Sequence, residues 1–393
     1  MSFVNQPRRL IILLACLVAF GPLSIDMYLP GLPLIASDLG ASEEQVQSTI
    51  GLFLTGFSVG MLLYGPLSDR FGRRRLLLGG IALYMLASLG CALASAPEQL
   101  IAWRLLQALG GAAASVLGRV IVRDLFPLDD AARVLSLMQQ VTMVATLLAP
   151  LIGGYLILLS GWRILFAVLL GFAGICLLLV WLRIPESHPK EARGVSLIYA
   201  FRAYLEIAGQ PRAIGYILCM GLTFGGMFAF ITASPFVYIR FFGISPQFYA
   251  WLFALNVVGI MSMSFTNARL VRRFGAQRLL GVAACVAASS GLVLMLCAGS
   301  GWGGLSALVL CLLAYVSVTG VISANCLACL MAIFPRQAGA AAGLGVASQF
   351  ALGALGSALV GALSDGTSWP MALVVGMAGV GALLAYRLSA GRS

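Results

Sequence analysis

Ionisable side chains are scarce in this 393-residue sequence: Asp, Glu, Lys and Arg together make up 9%, and His188 is its single histidine. Soluble domains carry about a quarter charged residues. So small a share, at a mean hydropathy of +1.01, excludes a water-soluble fold and makes lipid the solvent. One histidine, in a polar stretch, leaves little for metal binding or imidazole catalysis. No Gly-rich phosphate loop followed by Lys occurs, which argues against an ATP-driven pump. No enzyme is expected, and any uphill work must draw on a gradient. The nine cysteines all fall within apolar runs, which argues against a disulfide framework. Cys326-x-x-Cys329 has redox or metal spacing, but it lies mid-run with no second pair, so packing is the expected role and no metal is implied.

What the sequence has instead is apolar length. Twelve runs of about 20 residues, each long enough to cross a hydrocarbon core as helix, span 10–36, 46–67, 76–96, 98–122, 132–158, 162–183, 213–238, 247–268, 278–298, 303–333, 338–363 and 368–388. They are continuously apolar, whereas strands of a membrane barrel alternate over about ten residues. The expected fold is therefore an all-α membrane protein of twelve transmembrane helices. Glycine, at 46 residues, is abundant, and the spacings Gly56/Gly60, Gly221/Gly225 and Gly339/Gly343 suit close helix contacts. The segment 10–23 after Arg8 and Arg9 has the look of a signal peptide. Its apolar run continues through Asp26 to about Ile35, so an uncleaved first helix is expected.

The net charge of +11 is explained by its distribution rather than by nucleic acid, for which no role is expected. With the N-terminus cytoplasmic, 21 of the 24 Lys and Arg fall on the cytoplasmic side, Arg163 and Arg240 fall outside, and Arg104 lies within the membrane. The positive-inside rule then places both termini in the cytoplasm.

The longest polar connection, "RIPESHPKEARG" at 183–194 and on to about 212, follows the sixth run. It reads as a cytoplasmic linker, 185–211, between two pseudo-symmetric six-helix halves, 1–184 and 212–393. "YGPLSDRFGRRR" at 64–75 has an echo 203 residues later in "NARLVRRFGAQR" at 267–278, with five of twelve residues shared. Both follow the second helix of their half. Such a parallel duplication is typical of transporters with a central site between the halves. Asp69 corresponds to Arg272, so whatever Asp69 does is expected of one half only.

"GPLSDRFGRRR" at 65–75 resembles the signature loop between helices two and three of the major facilitator superfamily, with Gly65, Asp69, Arg70, Gly72, Arg73 and Arg74 on its key positions. "RLLQALGGAAA" from Arg104 resembles the helix-four motif of the drug:proton antiporters in that superfamily. "APLIGG" at 149–154 resembles their helix-five motif, departing from it at Ala149, where Gly is usual. "SIDMYLPGLP" in run one and "FAFITASPFVYI" in run seven resemble the bicyclomycin-resistance and chloramphenicol-efflux (Bcr/CflA) subfamily. The resemblance covers the full chain. It implies a monomeric antiporter of the bacterial inner membrane that exports small apolar or amphipathic drugs by alternating access, with protons as coupling ion and no cofactor. An exporter of a metabolite or amino acid with incidental drug efflux, or a membrane sensor without turnover, would share most of these features.

Asp26 is the one acid placed deep within an apolar run, where an unpaired carboxylate costs a few kcal/mol even on insertion scales. Burial favours its protonated form and a nearby Arg the charged one. Such an acid is a proton-site candidate, although Pro30 and Pro33 also permit an early helix end with the carboxylate at the outer interface. The resemblance implies an essential acid here. Arg104 and Gln107 lie one turn apart and share a helix face; in the resembling motif the Arg faces the central cavity and governs proton binding. Arg119 either lines the inner cavity or joins Arg123 at the headgroups. Asp124 is placed to pair with the 70–75 arginines or to be solvated. Pro150, Gly153 and Gly154 offer a kink and close packing, which in the resembling motif seals one side against leak. Met27, Tyr28, Phe228, Phe230, Thr232, Asn256 and Asn325, with Gln107 and Arg119, are the candidates for a substrate pocket, since aromatic and Met surfaces tolerate many ligand shapes. Asp69, between Gly65 and Gly72, is expected to act as a latch that holds the outward-open state.

The charge distribution yields a direct test of orientation. In a cysteine-free background, a single cysteine at Ser37 is expected to react with an impermeant thiol reagent in whole cells, and one at Ser187 is not. The reverse pattern overturns the orientation.

Overall fold

A computed structural model describes residues 7–187 and 197–390; His188 and much of the expected linker lie outside the described residues. The helices are α1 Pro7–Val18, α2 Phe20–Asp26, α3 Leu32–Asp38, α4 Glu43–Phe71, α5 Arg73–Leu93, α6 Pro97–Leu125, α7 Leu128–Ser160, α8 Arg163–Arg183, α9 Leu197–Ala208, α10 Pro211–Pro235, α11 Pro246–Phe274, α12 Ala276–Ser300, α13 Gly304–Ser317, α14 Thr319–Ile333, α15 Ala338–Ala362 and α16 Trp369–Ala390. Eleven helical stretches among the described residues are long and apolar enough to cross a bilayer, and a bent pair supplies the twelfth. Local chemistry sets several boundaries. Ser42 accepts from the Gln45 amide at 3.1 Å while Gln45 Oε1 accepts from the Ser42 amide at 2.9 Å, a reciprocal cap for α4. Pro97, Pro211 and Pro246 each open a helix, where a missing amide hydrogen costs nothing. α4 and α11 stop at Gly72 (φ +96°) and Gly275 (φ +78°), conformations that side-chain-bearing residues avoid. These glycines match across the 203-residue repeat, so the duplication is present in the backbone.

Three expectations need correction. The first run is not one helix: it breaks after Val18 and bends by 44°, then passes through a 3-10 turn at Leu29–Gly31. Pro22, Pro30 and Pro33 have no amide hydrogen, so the bonds to the carbonyls of Val18, Asp26 and Leu29 cannot form. Run ten stays one span, Gly304–Ile333, within which α13 and α14 meet at Val318. The linker is more than a polar connection, for it carries α9. Of the three glycine pairs, Gly56/Gly60 packs against α6 at Leu105, Ala108 and Ala112, and Gly221/Gly225 packs against Leu352 of α15. Gly339 and Gly343 meet only the side-chain ends of Arg123 and Tyr204, at 3.9 and 3.8 Å from a built Cβ, so no tight helix contact is made there.

The halves meet chiefly through α4 with α15 and α7 with α11. At the arginine-poor end polar contacts cross between the halves. Arg240 donates to Glu43 at 2.9 Å and to the Pro33 carbonyl at 3.2 Å, and Ser364 donates to Glu43 at 3.3 Å. Deeper in, Phe57 packs on Phe350 with ring centres 4.8 Å apart, and Ser58 donates to the Ala347 carbonyl at 2.9 Å. Past that point α9 reaches in from the arginine-rich end, where Tyr204 donates to the Leu62 carbonyl at 3.4 Å. One turn on, Gly65 has no atom within 4 Å of a built Cβ. The protein is thus closed at its arginine-poor end.

Half-exposed ion pairs are worth about 0.2–1 kcal/mol. Glu43→Gln or Arg240→Gln is therefore expected to shift the closed population at this end by about 1.4- to 5-fold, read as lengthened distances between spin labels at Ala41 and Thr367. Exchanging the two residues, Glu43→Arg with Arg240→Glu, is expected to restore part of the closure. An unchanged distance distribution in both single variants would remove this pair from the gate.

Candidate proton and gating sites

Asp26 ends α2, shortly before the 3-10 turn at Leu29–Gly31, and is 5% exposed. Its carboxyl is within hydrogen-bonding reach of the Thr146 side chain on α7 and within electrostatic range of Tyr249 on α11. The chain entering this turn is held tightly. A Cβ on Gly153 of α7 would collide with the Met27 carbonyl, and one on Gly154 would stand 3.6 Å from the Pro246 carbonyl and 4.0 Å from Pro30. Gly153 therefore lets α7 lie against the first span, while Gly154 faces Pro30 and the start of α11 at ordinary contact distance. This places Asp26 at the seam between the halves, away from an exposed interface. Pro150 lies inside α7, one turn before these glycines.

Arg104 has no exposed surface. Its Nη1 donates to the Ser24 carbonyl at 3.0 Å and to Gln107 Oε1 at 2.7 Å. The guanidinium lies over the rings of Phe53 and Tyr28, 4.3 and 4.6 Å from their centres, an attraction of about 2 kcal/mol when desolvated. Gln107 donates onward to Ser88 at 2.8 Å, and Ser24 shares a hydrogen bond with Tyr84 at 2.6 Å. The shared face of Arg104 and Gln107 is as expected. The expected position in a central cavity is not, because both residues lie inside the first half, where they tie α2, α5 and α6 together. Among the described residues no ion pair joins Arg104 to Asp26. Arg104 acts on the segment that carries Asp26 through the Ser24 carbonyl.

At the arginine-rich end, Arg73 pairs with Asp69 at 2.5 Å and with Asp124 at 3.1 Å, and also donates to Ser68. Its backbone amide, opening α5, donates to Glu186 at 2.8 Å. Ser187 donates to Asp124 at 3.0 Å, and Arg74 to the Trp181 carbonyl at 2.7 Å. Arg70 lies over Phe71, 5.4 Å from the ring centre. These contacts join α4, α5, α6 and the segment after α8 within the first half.

The Major Facilitator Superfamily profile matches residues 14–314. The chain belongs to this superfamily. It is 34% identical over 387 residues to the bicyclomycin resistance protein homolog of Haemophilus influenzae, covering 98% of this chain and 97% of that protein. It is 31% identical over 282 residues to multidrug resistance protein D of Escherichia coli, covering 71% and 70%. Among solved structures, a D-xylose-proton symporter is similar at a TM-score of 0.73 and 20% identity, covering 96% of both chains. The nucleoside transporter NupG is similar at 0.76 and 14%, covering 98% and 100%. At such identities the structures establish the shared fold. The protein is a membrane transporter of the major facilitator fold, not an enzyme.

In this transporter the residues expected to form a substrate pocket do not converge on one open cavity. Tyr28 bonds Thr49 at 3.0 Å, Thr232 donates to Ser357 at 2.9 Å, and Asn325 donates to Asn267 at 2.9 Å. Phe228 packs on Phe350 with ring centres 6.0 Å apart, Phe230 stacks on Phe253 at 6.4 Å, and Met27 lies under Gly153. Asn256 donates to the Leu252 carbonyl at 3.0 Å, leaving its own carbonyl oxygen buried without a protein partner. Each of these contacts is made within one half of the molecule. Arg119 is half-buried and turned back onto Ser115 at 3.2 Å, whereas Arg123 is exposed. Thr146, Tyr249, Glu186 and Tyr204 had no signal in the sequence beyond their residue types, since each acquires its partner only across the fold.

Lysine cannot reproduce the planar fork of a caged guanidinium. Arg104→Lys is expected to lower stability in detergent by about 1–3 kcal/mol, the cost of buried groups left unpaired. A thermal-unfolding scan checks this against Arg336→Lys on the exposed surface, expected to lie within about 0.5 kcal/mol of the unmodified protein.

Proposed function

We propose that the protein exports small apolar or amphipathic drugs across the bacterial inner membrane in exchange for protons, by alternating access. The observation that carries this reading is a lone carboxyl, Asp26, buried where the two halves close. The names of the relatives, bicyclomycin and multidrug resistance proteins, support the substrate class. The arginine-rich end is cytoplasmic, as are both termini, so the closed arginine-poor end makes this the inward-facing state. The moving bodies are 1–184 and 212–393, joined by 185–211, and the unit is a monomer.

A neutral Asp26 can be buried at the seam at little cost, whereas a carboxylate there costs a few kcal/mol. Protonation from outside therefore permits the outer end to close. Loss of that proton to the cytoplasm, as drug binds, leaves a buried charge that favours reopening outward, where water reaches it. Arg104 positions the Asp26 segment through Ser24. One proton moving down about 100 mV supplies roughly 2.3 kcal/mol, enough for about a fifty-fold gradient of a neutral drug. Asp69 and its loop latch the outward-open state, when the cytoplasmic ends of the halves meet. In the present state their partners are found within the first half.

Energised vesicles test the proton site. Asp26→Asn, which matches the carboxyl in shape but cannot release a proton, is expected to insert normally and lose drug accumulation against a gradient. Asp26→Glu is expected to keep part of it, at a shifted pH optimum. Active export of a neutral drug at the unmodified rate by the Asn variant overturns the assignment. Preference for a metabolite or amino acid over every drug tested overturns the substrate class.

A further inference from the structure

The two copies of the signature turn are built on the same backbone and furnished differently. In the first half the start of α5 meets an anion, since the Arg73 amide donates to Glu186 at 2.8 Å, and the space around the turn holds Arg73 with Asp69 and Asp124. In the second half Ala276 stands where Arg73 stands and Arg272 where Asp69 stands, and the 203-residue offset takes Glu186 to Ser389. The ion network is replaced by a cavity of about 800 Å³ at the arginine-rich end, bounded by α10, the end of α11, α12, α14 and α16.

The lining of this cavity is basic without a counter-charge. Arg212 and Arg278 both border it, no lining residue is acidic, and among the described residues neither arginine is in an ion pair. α10 opens at Pro211 and α12 at Ala276, so two partial positive helix ends add to the two charges. Tyr216 and Gln277 form a polar wall, with Gln277 Nε2 donating to the Tyr216 hydroxyl at 3.1 Å. Phe274 and Ile333 supply an apolar side. The volume is much larger than a bare oxyanion and suits a phosphate carried on an organic group. The position, at the ends of helices whose loops are basic, is where acidic lipid headgroups concentrate.

We propose that this cavity binds a phosphate group, that of an anionic phospholipid headgroup, with Arg212 and Arg278 as its counter-ions. The second half thereby takes from the membrane the anion that the first half supplies from its own chain.

Native mass spectrometry of the purified full chain in detergent, titrated with phosphatidylglycerol, phosphatidylcholine or inorganic phosphate, tests this. Phosphatidylglycerol is expected to bind more tightly than phosphatidylcholine. Arg212→Gln with Arg278→Gln is expected to weaken its first binding step about 25-fold, from about 1 kcal/mol per basic group. Arg272→Gln with Arg336→Gln removes equal charge outside the cavity and is expected to leave that step unchanged. Ala332→Trp, which fills the cavity with both arginines intact, is expected to weaken it as well and serves if the glutamine pair fails to fold. Arginine-dependent binding of inorganic phosphate without any of the lipid keeps the phosphate site and assigns it to the free anion. Equal binding of both probes by the two double variants overturns the proposal.

Discussion

A proline has no amide hydrogen with which to close a helical bond, and Pro22, Pro30 and Pro33 place three such gaps in the first span. The break that results brings the Met27 carbonyl against Gly153, sets Pro30 beside Gly154, and leaves Asp26 at the end of a short helical piece. A continuous helix would offer α7 a wall of side chains and no exposed backbone to approach. With the break, the first span becomes the surface on which α7 and α11 converge, and the position of the buried carboxyl follows from that convergence. Arg104 supports the same segment from the opposite side, through the Ser24 carbonyl, and its charge is balanced by aromatic rings and carbonyl oxygens.

The two ends of the molecule hold the halves together by different means. At the arginine-poor end a small set of direct contacts crosses the seam, with Arg240 spanning to both Glu43 and the Pro33 carbonyl. At the arginine-rich end the strong polar contacts are spent inside the first half, on Arg73 and its acids, while Tyr204 of α9 makes a single hydrogen bond to α4. Contacts that exist in one arrangement and not the other are what an alternating transporter requires, since they bias a two-state equilibrium only through such differences.

The halves share a backbone plan and differ in charge. Gly72 and Gly275 make equivalent turns, yet one turn is filled by an ion network and the other faces an open, basic cavity. A duplication preserves the hydrophobic pattern that makes helices and the glycines that end them. The polar residues around the turn differ between the copies, with Ala276 and Arg272 standing where Arg73 and Asp69 stand.

The sequence by itself determined the solvent, the spans, the repeated turn and the family, because hydrophobic length, glycine at a positive-φ stop and a short ordered motif are local properties that survive without knowledge of the fold. It also singled out Asp26, as the acid deepest in an apolar run. Only the tertiary structure decided where Arg104 resides, because a helix face is legible in spacing while the bundle it turns toward is not. It alone brought Asp26 near Thr146 and Tyr249 and joined Arg73 to Glu186 and Arg240 to Glu43, pairs 113 or more residues apart in the last two cases. The substrate-pocket residues, chosen by type, were separated for the same reason: an aromatic or an amide on a transmembrane helix looks alike in sequence whether it meets a cavity, a neighbouring helix or lipid, and packing between distant segments is what tells them apart.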